Sequence, residues 1–272
     1  MPSVRPSVSE QIVARVLQEV AKREAKVPFQ EIKARSRACP EPRDALAALL
    51  QPGCTVIAEI KRTAPGREVI ADIAAPERLA RELEAGGAKV IACHTSKRGF
   101  HGSLEEMLRV RGAVEVPILC RDFIVDPYQV HEARCYGADM IPLRAAVLEQ
   151  PRLEALIDRV ESLGMAALVE VRTPEEASRA VAAHASIVGV NARDFATMQL
   201  NRKAFQEIAP GLPSRIIRVA LSGVRDPSEL LSYAASGADA VVIGETIVTS
   251  SNPREATQAL VAAGQHPSCP SR

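Results

Sequence analysis

Short apolar runs return along the chain at near-regular intervals, and each ends abruptly on charged or small polar residues. Eight such runs lie near residues 55–60, 89–93, 117–120, 139–143, 166–170, 186–190, 216–220 and 240–243. They are continuous rather than alternating, as expected of parallel strands covered on both faces. Between them lie stretches with helical spacing of apolar positions, at 76–85, 103–112, 127–136, 152–163, 174–182, 226–236 and 254–263. One phrase recurs where a helix gives way to a strand: "GGAKVIAC", "YGADMIPL" and "SGADAVVIG". Its glycine fits a left-handed helix C-cap, and its spacing fits units of about 25 residues.

Eight strand–helix alternations predict an α/β protein with a (βα)8 TIM barrel. An open doubly wound sheet would normally show a glycine-rich loop after its first strand, where this chain reads "EIKRTAPG". Residues 1–48 read as an N-terminal helical extension, with Ile12, Val13, Val16, Leu17 and Val20 on one face. The barrel is expected over 49–264, and 265–272 as a loose tail.

Composition narrows the function classes. A formal charge of +1 and 3% aromatic residues without Trp argue against nucleic acid as partner, and no apolar run is long enough for a membrane span. The six cysteines show neither C-x-x-C nor metal spacing, so buried free thiols in a reducing, cytoplasmic setting are expected. His94, His101, His131, His184 and His266 show no metal spacing, and none is marked as a general base. No cofactor or metal is called for.

Barrel enzymes keep their chemistry where strands end. The strand ends here supply Glu59 and Lys61, Arg121, Arg144, Glu170, Asn191 and Arg193, Ser222 and Gly223, and Gly244 and Glu245. Any one of these fits a solvated loop. Glu59 and Glu170, however, close apolar runs, so their charges require partners or a task. Ser222–Gly223 and Gly244–Glu245, after the last two strands, fit a phosphate site built on backbone N–H groups, with tight turns as the plainer explanation. Phe100 and Phe123 are candidates to line an aromatic subsite or simply to pack the core. The residues alone therefore point to acid–base chemistry without a metal on a small phosphorylated substrate.

The segments "VIAEIKR", "FHGSLEEM", "RDFIVDPYQVHEARCYGADM", "ALVEVRTPEEA", "VGVNARDF", "SGVRDPSEL" and "ADAVVIGETIVTSSNP" together resemble the indole-3-glycerol phosphate synthase family, actinobacterial members in particular. The resemblance implies a carboxy-lyase of tryptophan biosynthesis. It would close the indole ring of an anthranilate-derived 1-deoxyribulose 5-phosphate with loss of carbon dioxide and water. It also implies Glu59, Lys61, Arg121, Glu170 and Asn191 as the catalytic set, with Glu170 as general base for dehydration. Phe100, Phe123, Arg144, Arg193 and Ser222 would contact substrate, and Lys61, Gly223, Gly244 and Glu245 would meet its phosphate. A monomer or weak homodimer is expected.

Four places depart from the family pattern. Arg121 stands where the family has its general-acid lysine, and a guanidinium is a poor proton donor. Ala64 replaces a substrate-contacting serine, Leu221 replaces a glutamate, and "PLR" puts Pro142 and Arg144 on the fourth strand. Two readings stay open beside the family reaction with Lys61 or an Arg121-bound water as acid. One is a diverged enzyme, in primary or secondary metabolism, that acts on a related anthranilate–sugar phosphate without decarboxylative ring closure. The other is a non-catalytic barrel.

Overall fold

The structure, a computed structural model, describes residues 8–63, 69–194, 197–267 and 269. Three helices come first: α1 (Val8–Glu24), α2 (Phe29–Arg37) and α3 (Ala45–Leu49). Eight parallel strands follow, β1 (Thr55–Ile60), β2 (Val90–His94), β3 (Ile118–Arg121), β4 (Met140–Arg144), β5 (Ala166–Val171), β6 (Ile187–Asn191), β7 (Ile217–Leu221) and β8 (Ala240–Ile243). Each strand pairs with its chain neighbours, and β8 pairs with β1 to close the barrel. The outer layer contains α4 (Pro76–Ala85), α5 (Lys97–Phe100), α6 (Leu104–Arg111), α7 (Pro127–Cys135), α8 (Gln150–Glu161) and α9 (Pro174–Ala182). It is completed by α10 (Ala204–Ile208), α11 (Pro227–Ala235), the one-turn α12 (Glu245–Val248) and α13 (Pro253–Gly264).

The expected strands start within about a residue of the observed ones. No helical run is expected between β6 and β7, and among the described residues the five-residue α10 forms there, followed by a 3-10 turn at Ala209–Gly211. Its segment opens on "NRK" and ends at "APGLP", which leaves room for little more than one turn. The glycines of the recurrent phrase, Gly87, Gly137 and Gly237, have φ of +96°, +83° and +89°. They act as left-handed stops that turn each helix back into a strand.

Two apolar layers hold the barrel. The outward strand residues and the helix faces form one large core, with Val56, Ile91, Ile118, Ile141, Val169, Val188 and Val241 among its members. The inward residues form a second cluster from Ile57, Val90, Ala92, Leu119, Met140, Leu168, Ile187, Val219 and Val242, among others. Ala45 and Leu49 of α3 belong to this inner cluster, so the extension stoppers the barrel. Asp44 caps α3 by accepting from the Ala47 N–H. The α2 helix lies along α7, where Ser36 meets His131 Nδ1 at 2.7 Å.

Cys54, Cys93 and Cys120 are buried thiols, whereas Cys39, Cys135 and Cys269 are only half-buried. No helix among the described residues is long and apolar enough to cross a membrane.

Candidate active site

Strand periodicity builds the site. Inward positions alternate, so each strand climbs from apolar interior residues to one further inward residue at its C-terminal end. Ile57 leads to Glu59, Ala92 to His94, Leu119 to Arg121, and Pro142 to Arg144. Around the ring, Leu168 leads to Glu170, Gly189 to Asn191, Val219 to Leu221, and Val242 to Gly244. The register places His94 beside Arg121, Arg144 beside Glu170, and Asn191 beside Leu221. The rim thus carries a ring of charge directly above an apolar plug.

These charges form one buried network. Arg121, 8% exposed, donates through Nε to Glu59 Oε1 at 3.2 Å and through Nη1 to Glu170 Oε1. Arg144 donates through Nε to Glu170 Oε2 at 3.1 Å, and Asn191 Nδ2 approaches the same oxygen at 3.5 Å. Asn191 in turn accepts from Ser222 Oγ at 3.1 Å and from the Arg193 N–H at 3.0 Å. Lys61 Nζ lies 3.9 Å from Glu59 Oε2, and His94 Nε2 lies 3.1 Å from Glu59 Oε1.

Burial would raise the pKa of both carboxyls, but neighbouring charge wins. Lys61, His94 and Arg121 hold Glu59 well below the usual carboxylate range. Arg121 and Arg144 hold Glu170 below it too. The same carboxylates raise Arg121 above its ordinary value against the pull of burial. Burial pushes the His94 pKa down, with Glu59 opposing only in part, so at neutral pH the imidazole is uncharged. It then donates its Nε2 proton to Glu59, which leaves Nδ1 as the basic nitrogen.

Above this ring opens a cavity of about 570 Å3. Among the described residues, Lys61, Arg121, Arg144, Arg193, Arg202 and Arg225 line it against two carboxylates, Glu59 and Glu245. Ser222, Gly223, Gly244, Glu245 and Thr246 complete part of its wall. Ser222 and Gly223 both have positive φ, +66° and +94°, which turns the chain sharply after β7 where both residues line the cavity. Gly244 is required by close approach, because a Cβ there would lie 2.7 Å from Glu59 Oε2.

Most residues expected from sequence meet here. Glu170 and Asn191 are not among the residues that line the cavity. Arg121 and Arg144, which do line it, hold the Glu170 carboxylate. Both oxygens of that carboxylate are thus engaged by cations. Phe100 lines the cavity, and Phe123 lies under the Arg144 guanidinium, 3.7 Å from ring centroid to Cζ, where it lines a small pocket together with Phe100 and His94. Ala64 lies outside the described residues.

The sequence reading missed His94, Arg202 and Arg225. His94 was legible: "VIACH" extended by one residue puts Val90, Ala92 and His94 on one face. Its ring stacks on Phe100, with centroids 4.1 Å apart and planes 6° apart. Arg202 and Arg225 come from loops, where strand periodicity carries no signal. They converge on Glu229, Arg202 Nη1 at 2.6 Å and Arg225 Nε at 3.0 Å. No group of three or more metal-ligating side chains is assembled among the described residues.

Comparison with known proteins agrees with this architecture. A solved thiamine phosphate pyrophosphorylase from Pyrococcus furiosus superposes with a TM-score of 0.58 at 16% identity, over 80% of this chain and 96% of that one, a likeness of fold alone. The curated indole-3-glycerol phosphate synthase of Saccharopolyspora erythraea is 56% identical over 264 residues, 97% of this chain and 98% of that protein. The indole-3-glycerol phosphate synthase of Mycolicibacterium smegmatis is 54% identical over 97% of each chain. The family model described as indole-3-glycerol phosphate synthase matches residues 9–260. With the barrel, the charged rim and near full-length matches of this strength, the chain belongs to the indole-3-glycerol phosphate synthase family.

Proposed function

We propose that this protein is a carboxy-lyase that closes the indole ring of an anthranilate-derived 1-deoxyribulose 5-phosphate, releasing carbon dioxide and water. The observation that carries the reading is the charge of the cavity. Among the described residues six cations and two carboxylates line it, and the substrate brings a phosphate at one end and a carboxylate at the other. The phosphate sits against Ser222, Gly223 and Gly244, within reach of Arg202 and Arg225. The aryl ring lies toward Phe100, which brings the ketone to Lys61.

Lys61 is the group suited to give a proton. Its ammonium is oriented by Glu59 and lines the cavity. Protonation of the ketone oxygen makes the carbonyl carbon electrophilic, and the ring carbon bearing the carboxylate attacks it. The carboxylate then leaves as carbon dioxide, and its bonding pair restores the aromatic ring. Arg121 keeps its proton throughout and serves as counter-ion to both glutamates. A substrate carboxylate bound bidentately by Arg121 would resist decarboxylation, but its Nε and Nη1 are already committed to Glu59 and Glu170. This commitment favours the decarboxylative reaction over one that retains the carboxylate.

The test is turnover by the purified protein beside its Lys61→Met variant, followed by indole fluorescence. Indole formation by the native protein, with a loss of at least about 100-fold in Lys61→Met, is expected. Native-like turnover in Lys61→Met would remove the lysine from the acid role. Tight binding without turnover by the native protein would overturn the reaction.

A further inference from the structure

We propose that His94, oriented by Glu59, is the general base that removes the ring-methylene proton in the dehydration half of the reaction; this rests on the function proposed above. Three observations converge on it. The imidazole lines the cavity beside Lys61 and Arg121 and is stacked on Phe100, so it borders the space assigned to the aryl ring. The 3.1 Å contact from Nε2 to Glu59 fixes the ring orientation and the tautomer, which makes Nδ1 the basic atom. Glu170, the other candidate, is held by Arg121, Arg144 and Asn191 and does not line the cavity.

The step balances without an oxidant or a second substrate. After carbon dioxide has left, the intermediate carries a hydroxyl on the former ketone carbon and a methylene beside the aryl nitrogen. Lys61, which gave its proton to the ketone oxygen during ring closure and has since taken one up from solvent, protonates the hydroxyl, the carbon–oxygen bond breaks with help from the nitrogen lone pair, and water departs. The methylene carbon–hydrogen bond then breaks. Its proton passes to His94 Nδ1, and its electron pair becomes the new carbon–carbon double bond of the indole. Glu59 lies between the two groups, Oε1 toward His94 and Oε2 toward Lys61. The proton gained by His94 therefore has a short route back to the lysine that lost one, and this half-reaction is proton-neutral.

The charged and titratable groups around His94 are Glu59, Lys61, Arg121 and Asp122. Glu59 favours the imidazolium, whereas Lys61, Arg121 and burial disfavour it. The free imidazole is therefore the form present before the step, and the carboxylate stabilises the cation formed during it.

The experiment is a single-turnover measurement on the full-length protein, following carbon dioxide and indole together in native protein, His94→Gln and His94→Ala. Glutamine keeps an N–H donor for Glu59 but has no basic nitrogen. His94→Gln is expected to release carbon dioxide within about threefold of the native rate while indole forms about 100-fold or more slowly, so that the carbinol accumulates. His94→Ala is expected to lag likewise and to recover dehydration when free imidazole is added. A merely structural role would not produce that rescue. Indole appearing in step with carbon dioxide in both variants would overturn the assignment, as would a lag in His94→Ala that imidazole leaves unchanged. If the native protein yields neither product, the reaction reading itself falls, and the base assignment with it. A native protein that turns over beside unaffected variants refutes only the base.

Discussion

Replacing Arg121 with methionine tests whether this residue is the counter-ion that keeps two buried carboxylates charged. Glu59 is 7% exposed and Glu170 3% exposed, and Arg121 contacts both. Removing one partner of a buried ion pair typically costs about 3–5 kcal/mol, because the remaining charge stays desolvated. At about 2–4 °C per kcal/mol for a chain of this size, the melting temperature of Arg121→Met should fall by about 6–20 °C. Arg121→Lys keeps the charge but presents a compact ammonium that cannot bridge both carboxylates in the same way. Its cost should be near that of one charged hydrogen bond, about 1.5–3 kcal/mol. The pH dependence carries a definite sign. Both glutamates titrate lower in the folded protein than in the unfolded chain, so their stabilisation is present above about pH 4.5 and is lost as pH falls through the folded values. Arg121→Met should flatten that acid-side slope. The assay is thermal unfolding by circular dichroism from pH 7 to pH 3. An Arg121→Met protein melting within about 2 °C of native, with an unchanged slope, would refute the counter-ion argument.

Three further outcomes follow from other parts of the structure. Gly244→Ala places a Cβ 2.7 Å from Glu59 Oε2, so kcat should fall at least about tenfold while melting changes little; an unchanged kcat would show that Glu59 gives way freely. Arg225→Ala leaves the reactive cluster untouched and should raise KM by about tenfold or more with kcat nearly constant, the loss of one charged hydrogen bond to phosphate. Inorganic phosphate should compete less well in the same variant. Burial and nearby cations push the pKa of His131 down to about 4, so the unfolded chain takes up a proton below about pH 6.5 that the folded protein refuses. Native stability should therefore fall between those values by up to about 1.4 kcal/mol per pH unit, a slope that His131→Asn removes.

The barrel was legible because its strands are buried on both faces and its helices are punctuated by glycines at Gly87, Gly137 and Gly237. The short α10 connection was not, since a five-residue helix leaves no periodic signature. Glu59, Lys61, Arg121, Arg144 and Glu170 were each visible as charges closing apolar runs. What sequence could not reveal was their pairing. That Arg121 and Arg144 converge on Glu170 depends on three neighbouring strands in register, and this convergence occupies the carboxylate expected to act as base. His94 was lost by ending its strand one residue early. Arg202 and Arg225 reach the cavity from loops whose path only the closed barrel defines.

The reaction is tested most directly by supplying native protein with the anthranilate-derived deoxyribulose 5-phosphate labelled with carbon-13 in its carboxyl group, and counting labelled carbon dioxide against indole. One labelled carbon dioxide per indole is expected, with Arg121 in place and no lysine at that position. A product that retains the labelled carboxyl, or bound substrate that releases neither product, would contradict a decarboxylating ring closure at this site.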